Sequence, residues 1–201
     1  CAVLYAFTES LRRRRTGDSA GAALELRLAF RPPLDWPRWL GFLAPRLIPG
    51  VECLHGETYR RSVSLDGVTG TVELELSPGG DTLCLRASAS LAPLLPRLVE
   101  RARAFCDLRA DPREIAAHLR RDPLLKPLVD RRPGLRVPGA WDPFETAVRA
   151  ILGQQVTVAG ATSIAGRLVE RCGVDLGEGR ADAITRLFPE PAELAEADLQ
   201  G

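Results

Sequence analysis

The sequence predicts an α+β chain: an antiparallel sheet with two helices on a single face, followed by an all-α segment. Period-two alternation recurs four times between Leu24 and Ala87, in short runs separated by turn residues. Two amphipathic helical patterns interleave with those runs. After Asp107 the strand signals disappear and only helical spacing remains.

In chain order, residues 1–23 are expected to be a linker or the remnant of an upstream region. Leu11-Arg-Arg-Arg-Arg15 followed by Thr-Gly-Asp-Ser-Ala-Gly21 reads as a basic, flexible spacer. The start at Cys1 without an initiator Met suggests an upstream part. Residues 24–107 carry the α+β pattern. Leu24, Leu26, Leu28 and Phe30 alternate, and Arg31-Pro-Pro33 ends that strand. Trp36, Trp39, Leu40, Leu43 and Leu47 fall on one face of a helix closed by Pro49-Gly50. Tyr59 to Leu65, Val72 to Leu76 and Leu83 to Ala87 form three strands joined by the Asp66-Gly67 and Pro78–Asp81 turns. Leu91 to Phe105 gives an amphipathic helix whose regular part Pro93 and Pro96 delay. Residues 108–201 are helical: Asp111 caps a helix through Ile115, Ala116 and Leu119, and Asp122–Leu125 and Arg132–Gly139 connect onward. A short helix around Ala183–Phe188 and another from Pro191 close the pattern.

The most informative stretch is Trp141–Gly160. Asp142 suits a helix cap, Pro143 the first turn, and Glu145 completes a capping-box spacing. Phe144, Ala147, Val148, Ile151 and Leu152 recur at helical spacing, which predicts a buried apolar face. Gly153 stops the helix, and Gln154 and Gln155 occupy the break. Thr157 can cap a second helix running through Ile164, Ala165, Leu168 and Val169 to Gly173. The result is a helical hairpin with a polar corner.

Composition bounds the function. With 201 residues, 45% hydrophobic and 26% charged, the chain matches an ordinary globular protein of one large or two small domains. No apolar run reaches membrane-spanning length and no signal-peptide pattern opens the chain, so a cytoplasmic location without membrane contact is expected. The five cysteines form no C-x-x-C and read as reduced core thiols; with two histidines, no zinc site suggests itself. A net charge of +1 gives no bulk attraction to DNA, so any nucleic-acid contact must be local.

Asp-x-Phe-Glu-x-x-Val-Arg-Ala-Ile-Leu-Gly-Gln-x-Val, beginning at Asp142, resembles the signature opening the catalytic domain of AlkA-type 3-methyladenine DNA glycosylase II, in the helix-hairpin-helix glycosylase superfamily. Arg-Pro-Pro-Leu-Asp-Trp36, Leu-Gly-Phe-Leu-Ala44 and Ile-Pro-Gly-Val-Glu52 resemble that family's N-terminal domain, in the same order. The resemblance spans roughly residues 24–201. It implies a TATA-binding-protein-like sheet domain over 24–107 and the first, incomplete part of the helical glycosylase domain over 108–201. An Ada–AlkA fusion would account for the basic linker.

By resemblance, Phe42 contributes to the base pocket, where a cationic alkylated purine stacks on aromatic faces. Read from the residues alone, Phe42 is core packing in its helix; with the resemblance the two readings stand level. Gln154 and Gln155 lie where the family inserts a wedge into the duplex, although the usual pattern has an apolar residue, often Leu, where this chain has Gln155. Both amides could instead satisfy helix ends. Thr157 can cap its helix, donate to a phosphate, or both. Arg149 reads as a solvated surface cation, and Arg131, Arg132 and Arg136 as a charged loop or a phosphate contact. No catalytic residue is assigned: Asp175, Asp182 and Asp198 have ordinary cap or surface readings, and the family's catalytic Asp is expected beyond Gly201.

The resemblance implies a monofunctional hydrolase, monomeric and free of metal or organic cofactor, acting on double-stranded DNA that contains alkylated bases such as 3-methyladenine. The alternative is a non-catalytic DNA-binding or regulatory part of an Ada-like alkylation-response protein. A third reading is a sheet domain used only for protein interaction.

Overall fold

A computed structural model describes residues 12–14, 23–176 and 183–197. Its elements in order are β1 (Arg12–Arg14), β2 (Ala23–Ala29), α1 (Trp36–Leu43), β3 (Glu52–His55), β4 (Thr58–Leu65), β5 (Val68–Leu76) and β6 (Thr82–Ala87). There follow α2 (Leu95–Phe105), α3 (Pro112–Leu119), α4 (Lys126–Arg131), α5 (Pro143–Leu152), α6 (Val158–Cys172) and α7 (Pro191–Glu196). The strands form one antiparallel sheet in the order β1-β2-β6-β5-β4-β3.

Register explains why one face is apolar and the other charged. Leu26, Leu85, Leu74 and Tyr59 face one another across four strands and are all buried. One residue over, Glu25 opposes Arg86, Arg86 opposes Glu73, and Glu73 opposes Arg60. Arg86 pairs with Glu25 at 3.2 Å and Glu75 at 2.7 Å, and Arg60 with Glu73 at 2.9 Å. Because side chains alternate with period two, a slip of one residue would exchange these faces, so burial pins the register. Asp66 and Gly67, at φ 52° and 75°, supply the two left-handed positions that a tight β4–β5 hairpin requires.

The apolar face is covered by α1 and α2, as the sequence predicts. Trp36, Trp39, Leu40 and Leu43 of α1 join Leu98, Val99, Ala102 and Phe105 of α2 in one core with the strands. Its centre is aromatic: Trp36 stacks on Trp39 at 4.8 Å, Trp39 meets Phe105 at 5.1 Å, and Phe105 meets Trp141 at 5.6 Å. Trp141 therefore anchors the approach to α5 in the same core as the sheet. Asp35 caps α1, Asp111 caps α3, and a 3₁₀ turn over Ala89–Leu94 precedes α2, the delay expected from the prolines.

Several expectations are corrected. Arg12–Arg14, read as spacer, is an edge strand on β2, because backbone pairing is indifferent to three charged side chains. Residues 1–11 and 15–22 lie outside the described part. β3 is an added strand; Glu-Cys-Leu-His has no strong alternation, and pairing with β4 decides its conformation. α4 forms between the two segments read as connections, where no element was expected. The segment around Ala183–Phe188 is extended rather than helical: Ile184 bridges Gly50, and the Thr185 and Arg186 amides donate to the Gly50 carbonyl. Neighbouring backbone thus offers these residues partners that a short helix would not. Four cysteines are described: Cys84 and Cys106 are buried, and Cys53 and Cys172 are half-buried. Burial pushes the Cys106 thiol well above its ordinary value.

Candidate functional site

α5 meets the sheet through two charged residues, Glu145 and Arg149, which were not expected to face inward. Asp142 caps it, accepting from the Phe144 and Glu145 amides at 2.9 and 3.1 Å. The Glu145 carboxylate does not return to the cap. It turns inward, 4% exposed, and accepts from Arg61 of β4 at 2.5 Å and from Arg149 at 3.2 Å. Ile151, expected in a buried stripe, is 67% exposed, while Leu152 packs on Ile48, Val51, Ala165 and Val169. Arg61 and Glu52 at the sheet supply the opposite charges that the inward Glu145 and Arg149 need.

Those charges form a closed set. Glu52 of β3 accepts from Tyr59 Oη at 2.5 Å, the Ile48 amide at 3.0 Å and Arg149 at 3.1 Å, and lies 3.6 Å from Arg61. Arg149 also donates to the Arg46 carbonyl at 2.5 Å, so it is no solvated cation: it ties α5 to the turn after α1. The Arg61 guanidinium stands 5.1 Å from the Trp141 ring centroid. Burial works against ionisation of Glu52, but Arg61 and Arg149, with the hydrogen bonds from Tyr59 and Ile48, outweigh it and hold the carboxyl below its ordinary value. Burial, then the Glu52 charge, push Tyr59 well up, so its hydroxyl stays protonated.

This fixes an acid dependence. Unfolded Glu titrates near about 4.3, and native Glu52 lies below its ordinary value. Its contribution to stability is complete above the unfolded value and is lost as pH falls through the native one. Urea midpoints should hold from neutral pH to about 5 and drop below about 4. Glu52→Gln should be less stable at neutral pH and lose less on acidification; an acid limb identical to wild type would disprove the assignment.

Phe42 lies at the edge of this set and is not core. Its ring is 45% exposed on the side of α1 away from Trp36 and Trp39. It lines a hollow of about 220 Å³ with Arg46, Glu52, Arg61, Glu145 and Arg149. The Arg46 guanidinium lies over the ring, 3.9 Å from its centroid. Arg46 and Arg149 also border a second hollow of about 200 Å³ whose far side includes Thr157 and Ala161. Thr162 donates to the Pro45 carbonyl at 3.1 Å, so α5 and α6 both grip the turn that follows Phe42.

The corner between those helices is exposed. Gly153 and Gln154 close the last turn of α5 by donating to Arg149 and Ile151. Gln155 stands in the left-handed region at φ 59°. Among the described residues, neither glutamine side chain has a hydrogen-bond partner, so neither satisfies a helix end. Thr157 Oγ1 accepts from the Gly160 amide at 3.1 Å and so caps α6.

Residues 25–142 match the AlkA N-terminal domain family. The chain belongs to that family. It is 36% identical over 186 residues to a Mycobacterium tuberculosis protein named a probable bifunctional transcriptional activator/DNA repair enzyme AlkA, a match that covers 92% of this chain and 37% of that one. It is 36% identical over 173 residues to the DNA-3-methyladenine glycosylase 2 of Escherichia coli, covering 86% of this chain and 58% of that one. The fold is that of a 3-methyladenine DNA-glycosylase from Archaeoglobus fulgidus, with a TM-score of 0.69 at 20% identity over 84% of this chain and 57% of that one. The chain thus spans about a third to three-fifths of these proteins.

Within this AlkA-family chain, sequence reasoning passed over the buried charge set. One signal was available: Arg61 falls in the inward register of Tyr59, Val63 and Leu65, where an arginine needs buried acid partners. Arg136, grouped with Arg131 and Arg132, is buried and donates to the Asp107, Ala110 and Arg31 carbonyls, so it braces a loop. Arg131 and Arg132 are exposed. Asp175 pairs with Arg186, and Asp182 and Asp198 lie outside the described residues. Among the described residues, no group of three or more His, Cys, Asp or Glu could hold a metal ion, and no helix is long and apolar enough to cross a membrane.

Proposed function

We propose that the protein is a monofunctional DNA glycosylase of base-excision repair, hydrolysing the N-glycosidic bond of alkylated bases such as 3-methyladenine in double-stranded DNA. The observation that carries this reading is an exposed Phe42 side chain lining a hollow, together with an exposed corner whose two glutamine side chains have no hydrogen-bond partner among the described residues. On this reading, residues 24–107 are the accessory sheet domain and residues 108–201 part of the helical catalytic domain, in a cytoplasmic monomer.

A damaged base rotated out of the duplex stacks on Phe42, and an electron-poor alkylated purine gains most from a π face. Gln155 enters the gap left behind and hydrogen-bonds the widowed partner, while Gln154 and Thr157 contact the DNA beside it. The left-handed backbone at Gln155 supports this role, since non-glycine residues there carry strain of about 1–3 kcal/mol and gather at functional sites. Hydrolysis breaks the C1′–N bond, water adds to C1′, and a carboxylate must stabilise the positive charge on the sugar. Glu52 and Glu145 border the hollow but are already neutralised by Arg61 and Arg149, so neither is assigned that task.

A polypeptide of residues 1–201 is therefore expected to release no 3-methyladenine from alkylated duplex DNA above a no-protein control, whereas the full-length protein releases it. Release by residues 1–201 would locate the acid inside them. Absence of release by the full-length protein would sink the enzyme reading. The match over 92% of the chain to a relative also named a transcriptional activator favours a second reading, a non-catalytic DNA-binding or regulatory part of an alkylation-response protein. Duplex binding by the full-length protein without base release would support it.

A further inference from the structure

We propose that Arg149 is a positioning residue: with Thr162, it holds the Phe42 ring at the distance from the Gln154–Gln155 corner that one flipped nucleotide spans. The inference rests on the assignments of Phe42 to base stacking and of the corner to the duplex made above.

The two halves of the site come from distant parts of the chain. Phe42 lies near the end of α1, and the corner follows the end of α5 at Gly153. One nucleotide has to serve both, since its base lies on the ring while the gap it leaves is filled from the corner. The length of a nucleotide therefore fixes their separation, and a misplacement of about 1 Å can cost about 100-fold in rate. The hollow beside Phe42 and the hollow beside Thr157 share two residues, Arg46 and Arg149, so the joint between the halves lies there.

That joint is the 3₁₀ turn Ala44–Arg46, which continues α1 directly from Leu43. Carbonyls at a helix end have no partner within the helix and need one from outside. Here the other half of the site takes two successive ones. Thr162 of α6 donates to the Pro45 carbonyl at 3.1 Å, and Arg149 Nη2 donates to the Arg46 carbonyl at 2.5 Å. Arg149 Nη1 meets Glu52 at 3.1 Å and Glu145 at 3.2 Å, so one rigid guanidinium ties β3, α5 and the turn together. Leu152, Ala165 and Val169 also pack on Ile48 and Val51, but apolar contact is non-directional. The two carbonyl bonds are directional and set where the turn, and Phe42 with it, stands under the corner.

Arg149→Lys separates the two tasks of the guanidinium: an ammonium keeps the charge beside Glu52 and Glu145 but lacks the fork that reaches the carbonyl at the same time. Thr162→Val removes the other bond and leaves every charge in place. The test uses the full-length protein and measures single-turnover release of 3-methyladenine from methylated duplex, affinity for undamaged duplex, and the urea midpoint. The proteins are wild type, Arg149→Lys, Thr162→Val, Phe42→Ala and the double variant Arg149→Lys with Phe42→Ala. Arg149→Lys should slow release about 2- to 150-fold, the span of coupling between residues of one network, with affinity for undamaged duplex near wild type. In the Phe42→Ala background it should change release by less than about 2-fold, because the ring it positions is gone. Thr162→Val should slow release by a smaller factor, since a neutral donor makes the weaker bond. Wild-type release in Arg149→Lys, or equal slowing with and without Phe42, overturns the positioning role. Should the urea midpoint show Arg149→Lys unfolded, wild-type release in Thr162→Val overturns it instead. No release by the wild-type protein, or full activity in Phe42→Ala, overturns the pocket assignment beneath it.

Discussion

Arg61→Met is expected to lower the free energy of unfolding by about 3–5 kcal/mol, the usual consequence of removing one partner from a buried ion pair. Arg61 is 2% exposed, and its guanidinium faces both Glu52 and Glu145. Methionine fills comparable length but leaves two buried carboxylates to share Arg149, whose side chain is 28% exposed. The set would then carry an uncompensated negative charge in surroundings that solvate it poorly. The double variant Arg61→Met with Glu145→Leu should recover most of the loss, because Arg149 and Glu52 remain paired and apolar replacements of buried pairs are often neutral. Urea unfolding of both variants checks this. A loss below about 1 kcal/mol in Arg61→Met would place the pair in the class of exposed salt bridges. The effect bears on function because Glu145 and Arg149 hold α5, and α5 carries the exposed corner.

Phe42→Ala in the full-length protein should slow single-turnover release of 3-methyladenine by about 5- to 150-fold, the equivalent of about 1–3 kcal/mol for one base–aromatic stack. Affinity for undamaged duplex should be nearly unchanged, since such DNA never brings a base to the ring. Stability should shift by no more than about 0.5 kcal/mol, because the ring lies outside the core and touches Arg46 rather than Trp36 or Trp39. Loss of excision and affinity in equal measure would show that the ring supports the fold around the turn after α1.

Four strands and the helices that bury aliphatic or aromatic stripes were legible because burial imposes their periods directly. Leu24–Phe30, Tyr59–Leu65 and Trp36–Leu43 repeat at 2 or 3.6 residues whatever surrounds them. Caps were legible for the same reason: Asp111, Asp142 and Thr157 satisfy orphan amides one turn away, and the partner lies within the local segment. β3 and the Ile184 segment were missed because a partner, and not their own pattern, decides their conformation. β3 exists because β4 offers an edge, and Ile184 is extended because Gly50 offers a carbonyl.

The site divides along the same line. Phe42, Gln154, Gln155 and Thr157 could be named from the family resemblance, and all four are exposed. Spacing also marked Glu145 as a capping-box partner and Arg149 as a surface cation, and both assignments changed on folding. Arg61 is 84 residues from Glu145, and Glu52 is 97 residues from Arg149. Local sequence sets helix, strand and cap, because those interactions close within a few residues. The inward turn of Glu145 and Arg149, the ionic clamp on the turn after Phe42 and the Arg46 guanidinium over its ring depend on which groups the fold brings within about 4 Å of one another, and those partners lie too far apart in the chain for local spacing to show them.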